Sequence, residues 1–331
     1  MLAGAFAAAC LLVPALAAGA EAPGVVTLME GPAALLRTAG RFALAEGVRL
    51  QAGDIVEVPD KGLVQIELAS GTRVSLGPQS RFHVAALAGA GGRGGKEAAV
   101  SDFYLLQGWS KFALAPKAAP LRVTTPLFGF GSAEAVLVLQ VESAEASLFV
   151  ERGAVRLAEG FVKATPASPV AVGAGQFYVR RADQRGVLQS RPAPAFVAGM
   201  PGYYRDNLPE RLAGFKDRDV SPRRLGDLTY QDVEPWLKGP PELRRPLTQR
   251  LRARAQDPEF RKAVIANMRF HPEWDRILFP EKYLPKPPPS ADAAKAPPTA
   301  ADAAKAPPTA ADPAKAAPPA ADAARAPAQN Q

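Results

Sequence analysis

The sequence predicts a mainly β protein whose β region is followed by a small helical region and a low-complexity tail. Three observations predict it. Short apolar–polar alternations recur between Gly, Pro and Asp from Val25 to Val179, the pattern of half-buried strands joined by tight turns. After Arg191-Pro192-Ala193-Pro194 the apolar spacing lengthens to about four residues and the charge rises, as on one face of a helix. From Lys286 a ten-residue unit repeats as PPPSADAAKA, PPTAADAAKA, PPTAADPAKA and APPAADAARA.

The organising stretch of the β region is Gly47 to Val84. Val48-Arg49-Leu50 leads into Ala52-Gly53-Asp54, and Ile55 to Val58 follows as a strand. Pro59-Asp60-Lys61-Gly62 breaks it, Leu63 to Leu68 rebuilds it, and Ser70-Gly71 turns the chain into Thr72 to Leu76. Gly77-Pro78 turns it again into Arg81 to Val84. Upstream, Val25 to Leu28 and Ala33 to Arg37 open the series, with breaks at Gly31-Pro32 and Ala39-Gly40. Downstream, Asp102 to Leu106 and Ser110 to Leu114 read as a strand pair around Gly108-Trp109. Leu121 to Thr124, Val136 to Val141, Ala146 to Val150, Val155 to Leu157, Val170 to Val172 and Phe177 to Val179 complete it. Many short strands without a long intervening helix imply an all-β roll, barrel or solenoid.

Several of these residues carry a family resemblance: Gly53-Asp54, Gly62, Ser70-Gly71-Thr72-Arg73-Val74, Pro78 and Ser80. It resumes at Leu121 to Pro126, Gly129 to Ser132, Gly153 to Leu157 and Val172 to Gln176. Together they resemble the FecR domain, a periplasmic β module of iron-uptake regulators and other bacterial envelope proteins. The resemblance implies a twisted, solenoid-like or roll-like β domain over 24–185. It gives structural roles to Gly53, Asp54, Gly62, Gly71, Thr72, Pro78, Pro126, Gly131, Gly153 and Gly175. Phe130 stands where the family has Arg before a Gly-Thr pair, here Gly131-Ser132. The anti-sigma segment and membrane span that precede this domain in the family's regulators do not precede it here, so the anti-sigma function is not carried over.

The helical region is expected over 203–285. Asp257-Pro258-Glu259 is a helix start, with a capping Asp and Pro at the first turn; Phe260, Val264 and Met268 then share a face. Leu243, Leu247 and Leu251 do the same across Pro246, while Tyr230, Val233 and Trp236 mark a further helix. His271-Pro272-Glu273 begins a last one carrying Trp274, Ile277 and Leu278. The tail, 286–331, has no aromatic or large aliphatic residue, so it is expected to be a disordered, partly extended spacer.

Residues 1–20 are small and apolar and end in Ala18-Gly19-Ala20, an export signal with a small-residue cleavage site. A periplasmic location and no integral span after cleavage are therefore expected. Cys10, the sole cysteine, lies inside that leader, so the exported chain would have neither a disulfide nor a cysteine-held metal.

Reactive constellations fail on inspection. Leu87 to Lys96 is glycine-rich, but Ala90 occupies the first glycine position of a phosphate-binding loop and Glu97 its hydroxyl position. Gly129-Phe130-Gly131 lacks the third glycine of a dinucleotide fingerprint, since Glu134 stands there. The two histidines, His83 and His271, are far apart in sequence, and no acidic cluster has ligand spacing. No cofactor or metal is expected, and the chain is read as a non-enzyme.

The strongest asymmetry is the basic run Arg244, Arg245, Arg250, Arg252, Arg254, Arg261 and Lys262 on a chain of net charge +8. It is a candidate docking face. With an export signal, the polyanions within reach are anionic lipid, wall polymers such as peptidoglycan, and acidic envelope proteins rather than nucleic acid. The leading expectation is thus a protein that binds or scaffolds an envelope component. A sensory module working through a separate membrane protein is the alternative, and a wall-directed hydrolase using paired carboxylates a third.

Overall fold

The computed structural model describes residues 24–88, 100–116, 118, 120–132, 134–159 and 169–284. The leader, Cys10, most of the glycine-rich loop and the repeat tail lie outside the described residues. The protein is mainly β. The strands are β1 (Gly24–Glu30), β2 (Ala34–Arg37), β3 (Gly40–Ala43), β4 (Ile55–Glu57), β5 (Leu63–Leu68) and β6 (Arg73–Leu76). They continue with β7 (Arg81–Ala86), β8 (Ser101–Ala113), β9 (Leu121–Thr124), β10 (Phe128–Ser132) and β11 (Ala135–Val141). β12 (Glu145–Glu159), β13 (Val170–Gly173), β14 (Phe177–Arg181) and β15 (Val187–Gln189) precede α1 (Pro194–Gly199). After β16 (Arg223–Asp227) come α2 (Tyr230–Leu237), α3 (Pro241–Arg250), α4 (Pro258–Ala266) and α5 (Asp275–Leu278).

These strands make one sixteen-stranded sheet rolled into two layers. The first runs β1-β5-β6-β8-β11-β12-β14-β15, the second β16-β3-β2-β4-β7-β8-β9-β10-β12-β13. Pairing is antiparallel except between β8 and β9. Both layers contain β8 and β12, so these two strands are the corners of the roll. The strand pair read from sequence at 102–106 and 110–114 about Gly108 is instead a single thirteen-residue strand, Ser101–Ala113. Likewise the separate strands expected at Ala146 and Val155 are the two halves of β12.

The reason lies in two glycines. Gly108 and Gly153 sit at the bends with φ of +95° and +80°, a conformation that costs an L-residue roughly 1–2 kcal/mol. A side chain is also sterically barred. A Cβ on Gly108 would lie 2.4 Å from Ser80 Cα, and one on Gly153 would lie 2.4 Å from the Glu134 carbonyl oxygen.

Between the layers the inward residues close a single core. Val26, Ile66, Val74 and Phe112 of the first layer meet Leu35, Val56, Phe82, Phe103 and Phe130 of the second. The rings of Phe82 and Phe103 stack at 5.1 Å, and Phe112 meets Phe130 edge-on at 6.1 Å.

The segment after β15 then covers the outer face of the first layer. Phe196 of α1 and Tyr204 pack on Trp109, Val138 and Phe177. Tyr204 donates its hydroxyl to the carbonyls of Ser75 and Trp109. Glu67, buried, accepts from Thr27 Oγ1 at 2.7 Å, Gln65 Nε2 at 3.0 Å, and the backbone N–H groups of Arg211 and Leu212. One carboxylate thus fastens the strap to the sheet.

The chain next adds β16 to the edge of β3, a strand within the region expected to be helical. α2 starts on a capping box between Thr229 and Asp232. At α4 the expected Asp257 cap is present, its carboxylate accepting from Phe260 N at 2.8 Å. Pro246 lies inside α3, and Met268 falls beyond the end of α4 in a 3-10 turn. Trp109, Trp236 and Trp274 are all buried in cores.

Candidate binding surface

The outer face of the second layer is built from cross-strand rows. One row passes through Leu36, Ile55, His83, Tyr104, Thr124, Gly129 and Ala158, each opposite the next on the neighbouring strand. Its character changes midway. Leu36, Ile55 and Tyr104 are buried beneath Trp236, Leu243, Leu247 and Leu251 of the helical layer. Thr124, Gly129 and Ala158 are small, and with Arg122, Gly131 and Arg156 of the adjacent row they line an open cavity of about 550 Å³. Val100 and Pro120 form its apolar end, and the backbone of Leu121 contributes to the lining.

Under the helices lies a polar seam. Arg37 grips Asp54 through two bonds, at 2.9 and 2.6 Å, and Asp54 also accepts from Gln51 N. The structural role expected for Asp54 is thus filled by both bonds to Arg37, a partner that the sequence does not mark, and by the turn bond from Gln51 N. Arg250 reaches from α3 to donate to the Gly53 carbonyl, and burial lowers its affinity for a proton while Asp54 opposes that. His83 is pushed down to about 4, chiefly by burial and then by the Arg250 guanidinium. Burial raises the Glu57 carboxyl, against the Trp236 Nε1 bond at 3.3 Å and Arg81 at 3.7 Å. His271, fully buried, shares a 3.2 Å hydrogen bond with the Tyr230 hydroxyl. Among the described residues no group of three His, Cys, Asp or Glu side chains is placed to hold a metal.

The seven basic residues of the helical region do not form one open face. Arg244 chelates Glu273 with Nε at 3.0 Å from both oxygens. Arg250 belongs to the seam, Arg254 ties Asp227, Asp257 and the Leu228 carbonyl, and Arg261 donates to the Leu278 carbonyl. Arg245, Arg252 and Lys262 face outward. Most of the run therefore fastens helices to each other and to the sheet, because the acids that oppose it arrive from distant positions.

The residues behind the FecR resemblance are mainly corners. Gly53-Asp54 turns into β4, Gly71-Thr72 joins β5 to β6, Pro78 follows β6, and Gly175 joins β13 to β14. Gly62 precedes β5 and Pro126 separates β9 from β10. Gly153 is the bend of β12. Gly131 differs: it lies within β10, exposed, on the floor of the cavity. Arg122 and Arg156, the cavity's cationic flanks, were not singled out from sequence; only their common pairing to Gly131 unites them.

No family model matches this chain, and no curated protein matches it. Among solved structures it is similar to two crystal structures, at 1.65 and 2.50 Å resolution, of a candidate anti-sigma factor from Parabacteroides distasonis ATCC 8503. Each is 13% identical with a TM-score of 0.35 over 44% of this chain. The match spans 63% and 64% of the length of those chains.

Proposed function

We propose that this chain is an exported, non-enzymatic FecR-like platform that binds or scaffolds a protein of the bacterial cell envelope. The observation that carries this reading is the change of character along one row of the second layer. Where the helices cover the sheet the row is large and buried, Leu36, Ile55 and Tyr104 with His83 among them; beyond them it becomes small and uncovered by any described element, with arginines alongside. A face so divided is suited to holding a polar partner against a rigid support. The leader ending in Ala18-Gly19-Ala20 and the FecR-like turn residues support the envelope location. The non-enzymatic reading is supported by the seam, where Asp54 and His83 are buried and Glu57 is bonded to Trp236 of the helical layer.

The test is fractionation of cells producing the full chain, followed by co-purification at low salt against three separate baits: envelope proteins, purified wall material and anionic vesicles. The proposal expects the chain in the periplasmic fraction with one stoichiometric protein partner. A cytosolic chain, or retention by wall or vesicles alone, would overturn it.

A further inference from the structure

We infer that the cavity flanked by Arg122 and Arg156 receives an extended acidic peptide segment of the partner, with a carboxylate seated over Gly131. The inference rests on the platform reading above and names the chemistry of its partner. Gly131 pairs with Arg122 on β9 and with Arg156 on β12. The two arginine Cα atoms are therefore two strand spacings apart, about 9–10 Å, with a bare backbone position between them.

That bareness is not demanded by the fold. Gly131 does not adopt a left-handed conformation, and a Cβ there would meet nothing closer than the Leu121 carbonyl oxygen at 3.7 Å, an ordinary contact. Glycine inside a strand costs stability and marks places where a ligand or another backbone approaches closely. Gly129 and Ala158 continue the low floor one step along the strands, about 6–7 Å further. The floor is thus elongated rather than a round cup.

The charge is available. Arg156 is exposed and has no ion-pair or hydrogen-bond partner among the described residues. The Arg122 side chain is 58% exposed and, among the described residues, meets Asp102 at 3.6 Å. Guanidinium groups bind carboxylates through paired, coplanar hydrogen bonds. The apolar end at Val100 and Pro120 offers a seat for a neighbouring side chain, and about 550 Å³ falls within the range of small recognition sites. Arginines that rim a concavity are poorly placed for a flat lipid surface, which favours the peptide.

The test uses the full exported chain and a fluorescent octapeptide of Asp, Glu, Ala and Gly, followed by anisotropy. The same peptide with Asn and Gln, inorganic phosphate, and vesicles containing phosphatidylglycerol form the comparison arms. The acidic peptide should bind, weaken with salt, and lose at least about tenfold in affinity in Gly131→Leu and in the Arg122→Gln/Arg156→Gln double variant. Melting temperatures should stay near that of the unaltered chain; were Gly131→Leu to unfold, the double variant alone decides. Equal binding of the amide peptide, preference for phosphate or vesicles, or undiminished binding by the variants would overturn the inference. If the peptide arm fails while the intact chain still co-purifies with an envelope protein, the cavity assignment falls and the platform reading stands.

Discussion

Replacing Gly153 with alanine places a methyl group where β12 turns from one layer of the roll into the other. The residue's φ of +80° already costs an L-residue roughly 1–2 kcal/mol. The new Cβ would also lie 2.4 Å from the Glu134 carbonyl oxygen and 3.1 Å from Ala135 Cα, both backbone atoms that cannot swing aside. Relief requires the start of β11 to withdraw and its pairing of Ala135 with Gly153 to loosen, a further loss of about 1 kcal/mol per hydrogen bond. The sum is about 2–4 kcal/mol of lost stability. Equilibrium urea denaturation followed by tryptophan fluorescence measures it, with Gly131→Ala as the control. Gly131 lies in a strand where an added Cβ makes only an ordinary 3.7 Å contact with the Leu121 carbonyl oxygen, so that variant should fall within about 0.5 kcal/mol of the unaltered chain or slightly above it. A Gly153→Ala variant as stable as the parent, or equal losses at both glycines, would refute the corner argument.

The polar seam and the covering layers give further expectations. Asp54→Ala leaves the Arg37 guanidinium half-buried without its carboxylate, and a loss of about 3–5 kcal/mol is expected by urea titration; less than about 1 kcal/mol would count against the seam. His83, held near 4 in the fold, would titrate near 6.5 when unfolded. Its contribution is therefore complete above about pH 6.5 and lost as pH falls from there toward 4, by up to about 3 kcal/mol. Glu57, raised by burial, acts in the opposite direction. Denaturation midpoints should fall less steeply from pH 7 through 5.5 to 4.5 in His83→Gln than in the parent; identical slopes would exclude His83 as the cause. Ending the chain after Gln189 uncovers Leu36, Ile55, Tyr104, Trp109 and Phe177. That fragment should bind a hydrophobic dye and aggregate, and a soluble fragment with cooperative unfolding would contradict the interlocking of the layers.

Alternation made most of the strands legible, because a residue with one buried and one exposed neighbour shows its face in the sequence. Where it failed, the missing information was long-range. Glycines inside β8 and β12 look like turns, since local sequence does not distinguish a bend within a strand from a break between two. β10, Phe-Gly-Phe-Gly-Ser, has glycine where an alternating strand would show a polar residue. β16, Arg-Arg-Leu-Gly-Asp, is an exposed edge strand with one large apolar residue and so no period to read. The helices were better marked, by the Asp257 cap and by aromatic spacing. Their basic run misled because Glu273 and Asp227 oppose it only after folding. The cavity was the least legible feature: Arg122, Gly131 and Arg156 meet through register alone.

The most direct measurement of the central claim is site-specific photocrosslinking of the full chain in living cells. A photoreactive residue at Ala158, on the open floor, is compared with one at Lys262, on the outer side of α4. The account predicts a discrete adduct with an envelope protein from position 158 and none from position 262. Adducts from position 262 alone, or from neither, would contradict it.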